Sequence, residues 1–463
     1  CQRDLIRDLI TACKIKNIKV MLYTHPRDGH DLSHEDQIKT GWGGPNEHDP
    51  KWAAFDRKKW NDFTAELYQE LITRYGDDIM GLMIDEGSVK GDSERVVDYP
   101  RLRRLLKAQH PDLLLQQNFF GNHYSLDLGA KEFDSLRKLG STAVTRWQSW
   151  QSPVMINLTP TWWATRPAGE NVVIYSAEDL FRYSVMQAGG NHQGGGVQWA
   201  AGNYAGGGWE TGVAETMQRL GELIRPIAPA MQKTLASTSF PTPAGSTFAD
   251  LKWGVATRAT DDSVEYLHVL KPPLNSTMVL KLPPPADGKR FEKAVLLASK
   301  TALGFLQNSD GIEITLPPNV SWDRLNTVIA MKVASDSPHQ NLALWKALRV
   351  SSVPDPSDSN KSTTIFAAVD GDLKTAWSSR ADGAAMPLDE QAPADRQPWC
   401  QVDLGKVARL SRIEILGDLG PNLALVISAT ADFKTSEVLS RRTVSAANEP
   451  WIIKLSNQPS ARY

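Results

Sequence analysis

Ile79-Met80-Gly81-Leu82-Met83-Ile84-Asp85 is an almost unbroken apolar run that ends on a carboxylate. Such a run suits a strand covered on both faces, the kind that builds parallel sheets. Just before it, Phe63, Leu67 and Leu71 stand four apart and lead through Arg74-Tyr75-Gly76, which reads as a helix with a glycine stop. After it, a basic helix is predicted from Pro100 to about Gln109, followed by a second apolar strand, Leu113-Leu114-Leu115-Gln116. Helix and buried strand in alternation predict an α/β layer. Upstream, Leu5, Leu9 and Cys13, with Ile6 and Ile10, recur at helical spacing, and Ile18-Lys19-Val20-Met21-Leu22-Tyr23 reads as a strand. A long polar stretch then runs from Thr24 to about Pro50, and loops of that length are usually functional. Downstream come a strand-like Val172-Val173-Ile174-Tyr175, a helix opening at Ser176, a glycine-rich segment from Gly189 to Gly208 read as a flexible turn, and a helix from about Glu215 to Ile224. The α/β layer is expected to occupy residues 1–232.

Beyond it the rhythm changes. Pro241-Thr242-Pro243, Pro272-Pro273 and Pro283-Pro284-Pro285 punctuate short alternating segments, which predicts an all-β domain over 233–334. A Ser/Asp/Pro-rich linker then opens a third, β-rich unit over 340–463, and no internal repeat stands out. The 463 residues themselves argue for several domains. With 41% hydrophobic and 22% charged residues the chain is globular rather than disordered, and 51 basic against 53 acidic residues leave no electrostatic footprint for nucleic acid or an anionic membrane. No apolar run is long enough for a membrane-spanning helix. Three cysteines are too few for a disulfide scaffold, and the fifteen tryptophans are many, indoles being good partners for sugar faces as well as for cores.

Asp85 follows the deciding strand directly, and in parallel α/β folds the C-terminal ends of strands collect catalytic side chains. The plainer alternative is that it caps the next turn. Glu132 follows the next strand by a loop of alternating aromatic and polar residues, Asn118 to Tyr124. Two acids on successive strand-end loops could face one pocket and divide the work of glycoside hydrolysis, one as nucleophile and one as proton donor; the alternative for Glu132 is a solvated surface residue. His25, His30, His34 and His48 gather in the long polar loop. Zinc is one reading of that set, but the histidines sit in a loop rather than on a helical His-x-x-x-His element, and a polar substrate-binding rim accounts for the same residues. The glycine clusters lack the Lys-Ser/Thr of a phosphate loop.

Taken together, the chain resembles the α-L-fucosidase family of glycoside hydrolases. The resemblance is carried by Arg3-Asp4-Leu5 through Ile18 to Thr24, by Leu67 to Leu71 with Arg74-Tyr75-Gly76, by Gly81 to Asp85, by Ser176 to Leu180, by Gly189-Gly190-Asn191, and by Leu220 to Leu223 with Ile227-Ala228. It implies a partial TIM-like (β/α) barrel and a retaining mechanism through a covalent glycosyl-enzyme, with Asp85 as nucleophile and Glu132 as acid/base. It also implies substrate binding by Tyr23, and His25, Asn118 and Trp147 join it as substrate-binding candidates. Met83 stands where the family carries Trp, and Phe119 where it carries Arg. About three βα units at the start of the family's barrel have no counterpart here.

The middle unit, with Trp322 to Ile329 near its end, is similar to the β-sandwich that follows the fucosidase barrel. The last unit resembles a discoidin-like domain, the coagulation-factor type C module also used to bind carbohydrate, through Asn341-Leu342-Ala343, Val369 to Asp372 with Thr375-Ala376-Trp377, and Trp399 to Gly405. The module normally continues through one more strand. Core packing is the reading favoured for Trp377 and Trp399. Asp370, Asp372 and Thr375 are oxygen donors that would suit a structural calcium, and no cofactor is required. The expectation is thus a multidomain exo-glycosidase, extracellular or periplasmic, acting on terminal α-L-fucose or a related α-L-sugar such as an α-L-galactoside. The contrasting expectation is a carbohydrate-binding or adhesion protein whose barrel no longer catalyses.

Overall fold

The computed structural model describes residues 3–26, 29, 32–42, 55–85, 97–118, 128–133, 154–158, 173–190, 196–201, 204, 206–243, 246–273, 278–337, 341–344, 346–350, 365–370, 376–377, 398–417, 422–443 and 450–463. The deciding stretch forms β2, Gly81–Ile84, and all four residues are buried. Helix α3, Arg57–Tyr75, precedes it and begins where the Asp56 carboxylate accepts the Lys59 amide at 3.1 Å. Helix α4, Tyr99–Gln109, follows, capped by Asp98 with a proline in its first turn. Leu82 and Ile84 of β2, with Leu115 from the next strand, pack into one core with Tyr68 and Ile72 of α3 and Leu102 and Leu106 of α4. Gly81 is required by closeness: a β-carbon there would lie 2.2 Å from the Leu114 carbonyl oxygen.

Six parallel strands lie side by side in chain order: β1 (Met21–Thr24), β2, β3 (Leu114–Asn118), β4 (Leu128–Phe133), β5 (Val154–Asn157) and β6 (Val197–Ala200). Sequential order with intervening helices is the winding of a singly wound α/β sheet. Among the described residues, β1 and β6 stand at the two ends of this sheet. Helix α1, Leu5–Ile15, turns Ile10 inward with Ile6 and Cys13, whereas Leu5 and Leu9, expected on the same apolar face, are exposed. A short helix α2, His34–Thr40, occupies part of the stretch read as loop. Val173 to Tyr175 form no strand, and the glycine-rich segment is more than a turn: Gly189 and Gly190 end helix α5, Ala177–Gly190, and β6 follows within the same segment.

From Thr234 the chain is antiparallel. Strands β7 (Thr234–Ala236), β8 (Gly254–Ala259), β9 (Val264–Val269), β11 (Phe291–Leu296) and β14 (Thr327–Val333) form one sheet, and β10 (Val279–Leu282), β12 (Gly304–Asn308) and β13 (Gly311–Thr315) another. Leu267, Val269, Ile329 and Met331 from the first meet Leu280, Ile312 and Ile314 from the second in a shared core. A further apolar cluster joins Leu180, Phe181 and Val185 of α5 to Val255 and Val328, so this region packs directly on the parallel unit. The last region pairs β15 (Ala347–Val350) with β16 (Cys400–Asp403), β17 (Ala408–Arg409) with β22 (Ser460–Ala461), β18 (Arg412–Ile415) with β21 (Trp451–Lys454) and β19 (Leu423–Ser428) with β20 (Ser436–Arg442). Trp399, expected in a core, is 50% exposed.

A buried charge cluster clasps this last region to the sandwich. Lys346 Nζ donates to Asp262 at 2.6 Å and to the Thr260 carbonyl at 2.7 Å. Arg258 bonds Asp262 and reaches the Leu344 carbonyl at 2.9 Å, while Lys289 bridges Glu265 at 2.8 Å and Asp287 at 3.2 Å. Gly405, at a φ of 81°, lies so close to Thr260 that a β-carbon would stand 2.2 Å from its carbonyl oxygen.

His268 is fully buried beside this cluster's sheet, its ring nitrogens 3.3 Å from the Ala230 carbonyl and 3.2 Å from the Asn326 amide. Burial pushes its pKa down to about 4, against a smaller opposing pull from the Ala230 carbonyl. The folded protein therefore binds fewer protons than the unfolded chain between pH 4 and 6.5, and stability rises with pH across that window. The contribution is complete above about pH 6.5 and is lost as pH falls toward 4, amounting to about 3 kcal/mol. Urea unfolding at pH 7 and pH 4 should show this loss in the wild type and a loss smaller by about 3 kcal/mol in His268→Gln.

Candidate active site

The face of the parallel sheet away from α3 and α4 carries the candidate residues. In the register Tyr23 pairs with Met83, Met83 with Gln116, Gln116 with Leu128 and Glu132 with Met155. Alternation along each strand then puts positions 23, 83, 85, 116, 118 and 132 in one set, opposite the set of Leu82, Ile84 and Leu115 that faces the helices.

Asp85 lies one residue past the C-terminal end of β2 and is 9% exposed. Tyr23, on edge strand β1 and 56% exposed, donates its hydroxyl to the Asp85 carboxylate. The Asp85 amide donates to the Thr24 carbonyl at 2.8 Å, so the residue is an extension of the ladder rather than a free turn. Thr24 is fixed in turn: its hydroxyl accepts from Tyr68 at 2.6 Å and donates to the Met83 carbonyl at 3.3 Å. Burial pushes the Tyr68 phenol up, so it keeps its proton and remains a donor. Trp60 Nε1 holds the Pro26 carbonyl at 2.9 Å, tying the chain after β1 to α3. The result is an acceptor carboxylate with an exposed phenol on it, backed by a rigid, hydrogen-bonded wall.

His25 follows β1 one step beyond the last register pair, and its Nδ1 is buried without a hydrogen-bond partner among the described residues. Asn118 ends β3, level with Asp85 across the ladder. Glu132 is the fifth residue of β4, not a loop residue as expected, and β3 separates its strand from β2. Trp147 lies outside the described residues, as do His30, His48, Asp372 and Thr375; Asp370 lies within them, and His34 opens α2. Among the described residues no three His, Cys, Asp or Glu side chains are grouped closely enough to hold a metal ion. Two features of the site have no place among the sequence expectations, the Tyr68–Thr24 support and Gln116. The available signal for the second is a glutamine in register with Met83, at the end of an otherwise apolar run.

No protein-family model matches this sequence, and no curated protein matches it. Solved structures do. An α-L-fucosidase isoenzyme 1 from Paenibacillus thiaminolyticus superposes with a TM-score of 0.53 at 18% identity, covering 72% of this chain and 76% of its own. A GH29 α-L-fucosidase from Bacteroides thetaiotaomicron, trapped as a covalent intermediate with 2-fluoro-fucosyl fluoride, gives 0.52 at 18% identity over 72% of each chain. The chain shares its fold with bacterial α-L-fucosidases. Met83 and Asp85 therefore sit on a scaffold that elsewhere carries enzymes so named, with a sheet-rich C-terminal region following the α/β layer as in those structures.

Proposed function

We propose that this protein is a retaining exo-glycoside hydrolase that releases terminal α-L-fucose, or a closely related α-L-sugar, from glycans. The observation that carries the reading is the buried Asp85 carboxylate held by Tyr23 at the C-terminal end of a parallel strand, on the face turned away from the helices. A carboxylate oriented by a phenol on such a face is suited to attack an anomeric carbon. Glu132 is assigned as acid/base. Two inter-strand steps, roughly 10 Å, separate the β2 and β4 backbones, and retention needs the two carboxyl groups roughly 5 Å apart. The six-stranded sheet is read as the greater part of a TIM-like barrel, residues 1–232. The 233–334 region is read as the accompanying sandwich, and 340–463 as a discoidin-like carbohydrate-binding unit, in which half-exposed Trp399 offers a stacking surface. Extracellular or periplasmic action on glycans follows from that assignment.

Hydrolysis of an aryl α-L-fucoside, with the configuration of the first-formed sugar followed by proton NMR, tests the reading: retained product supports it, and no turnover of any aryl α-L-glycoside overturns it. Tyr23→Phe, which removes one hydrogen bond to a charged group, is expected to lower kcat/KM about 10- to 100-fold and leave the thermal midpoint almost unmoved, because the phenol is largely exposed.

A further inference from the structure

Gln116 is the polar exception in Leu113-Leu114-Leu115-Gln116, and it is only 3% exposed. Its Nε2 is buried and has no hydrogen-bond partner among the described residues. The neighbouring Leu115 points to the helices, so Gln116 belongs to the opposite set, in register with Met83 and one step below Asp85 on the adjacent strand. A leucine or methionine here would fill the same space without stranding an amide, and a stranded amide costs stability. His25 Nδ1, beside Asp85 on the other flank, is stranded in the same way. Two buried nitrogens without a partner among the described residues thus bracket one carboxylate, one just past β1 and one on β3.

We infer that Gln116 is a sugar-binding, specificity-determining residue, its carboxamide hydrogen-bonding one ring hydroxyl of a monosaccharide bound against Asp85. A hydroxyl both donates and accepts, so it completes the amide whichever of its atoms faces the ligand. The assignment rests on the glycosidase reading above and deepens it, since it makes one hydroxyl of the sugar a recognition element. A site built to bond a hydroxyl rejects the analogue that lacks it, because the protein's own polar group is then left unpaired.

The test is Gln116→Met, close in volume and without a strong donor or acceptor. Kinetics are compared on an aryl α-L-fucoside and on its monodeoxy analogues, each lacking one ring hydroxyl. The variant should lose about 10- to 100-fold in kcat/KM on the parent compound, yet roughly match the wild type on one monodeoxy analogue. Its ligand-free thermal midpoint should hold or rise, since the stranded amide is gone. A uniform loss across all analogues, or a lowered midpoint, would show that the amide serves the fold and would overturn the assignment. Unchanged kinetics on the parent substrate would overturn it too, leaving Gln116 as the partner of a trapped water. If the wild type turns over the parent compound, the glycosidase reading stands whatever Gln116→Met does; if the wild type is inert on it, that reading fails first and this one with it.

Discussion

Asp85→Ala is expected to lower turnover of an aryl α-L-fucoside by roughly 1000-fold or more, and added azide to restore release of the phenol. In the proposed retaining mechanism the carboxylate is the group that forms the bond to the anomeric carbon, so its loss removes the covalent route rather than weakening a contact. Azide entering the space left by the missing side chain attacks from the same side, and the product is a glycosyl azide of inverted configuration. The variant should remain folded. Asp85 gives up the bond from Tyr23, whose ring already meets solvent, and the backbone bond from its amide to Thr24 is kept. Rescue giving an azide of retained configuration, or a variant as active as the wild type, would remove Asp85 from the nucleophile's role.

The largest stability change is expected at Asp262. Its carboxylate stands among Arg258, Lys346 at 2.6 Å and Lys289 at 3.6 Å, all with side chains almost wholly buried. Burial raises its proton affinity, but the Arg258, Lys346 and Lys289 charges outweigh it and hold the carboxyl well below the usual carboxylate range. Asp262→Asn leaves those cations facing a neutral amide, and breaking a buried pair from one side costs about 3–5 kcal/mol. Because a depressed folded pKa means that the unfolded chain binds more protons, the wild type owes this contribution to pH above about 4 and loses it as pH falls further. Urea unfolding at pH 7 measures the first effect. Limited proteolysis measures the second consequence, since Lys346 and the Leu344 carbonyl tie the start of the last region to this cluster, and cleavage near 338–345 should accelerate in the variant. An Asp262→Asn protein as stable and as resistant as the wild type would refute both.

The parts of the fold legible in the sequence are those where one physical signal dominates. Leu82 and Ile84, with Gly81 before them, announce a buried strand, and the fourfold spacing of Phe63, Leu67 and Leu71 announces α3. Strands β4 to β6 carry no such signal: Leu128–Phe133 includes Gly, Lys and Glu, and Val154–Asn157 and Val197–Ala200 are four residues each. Their partners, not their own composition, make them strands. For the same reason Glu132 reads as a loop residue until its neighbours are known. In α1 the hydrophobic residues outnumber the buried ones, so spacing alone cannot tell Ile10 from Leu9. Asp85 and Tyr23 are each legible as candidates but not as a contact, because sixty-two residues separate them. The Asp262–Lys346 clasp is invisible on the same ground, being built across eighty-four residues.

Under the proposed function, that clasp also bears on how a glycan would meet the protein. A binding unit on a slack tether raises the local concentration of its ligand by an amount set by tether length. Here Lys346 is locked into the sandwich, Gly405 lies against Thr260, and Arg349 reaches Asp112 of the parallel unit at 3.1 Å. The last region is therefore a fixed outrigger rather than a fishing line. A glycan held on it would present its branches at one distance and one angle from Asp85, so that selection among branched substrates would be geometric, favouring those whose span between two sugars matches the spacing built into the protein.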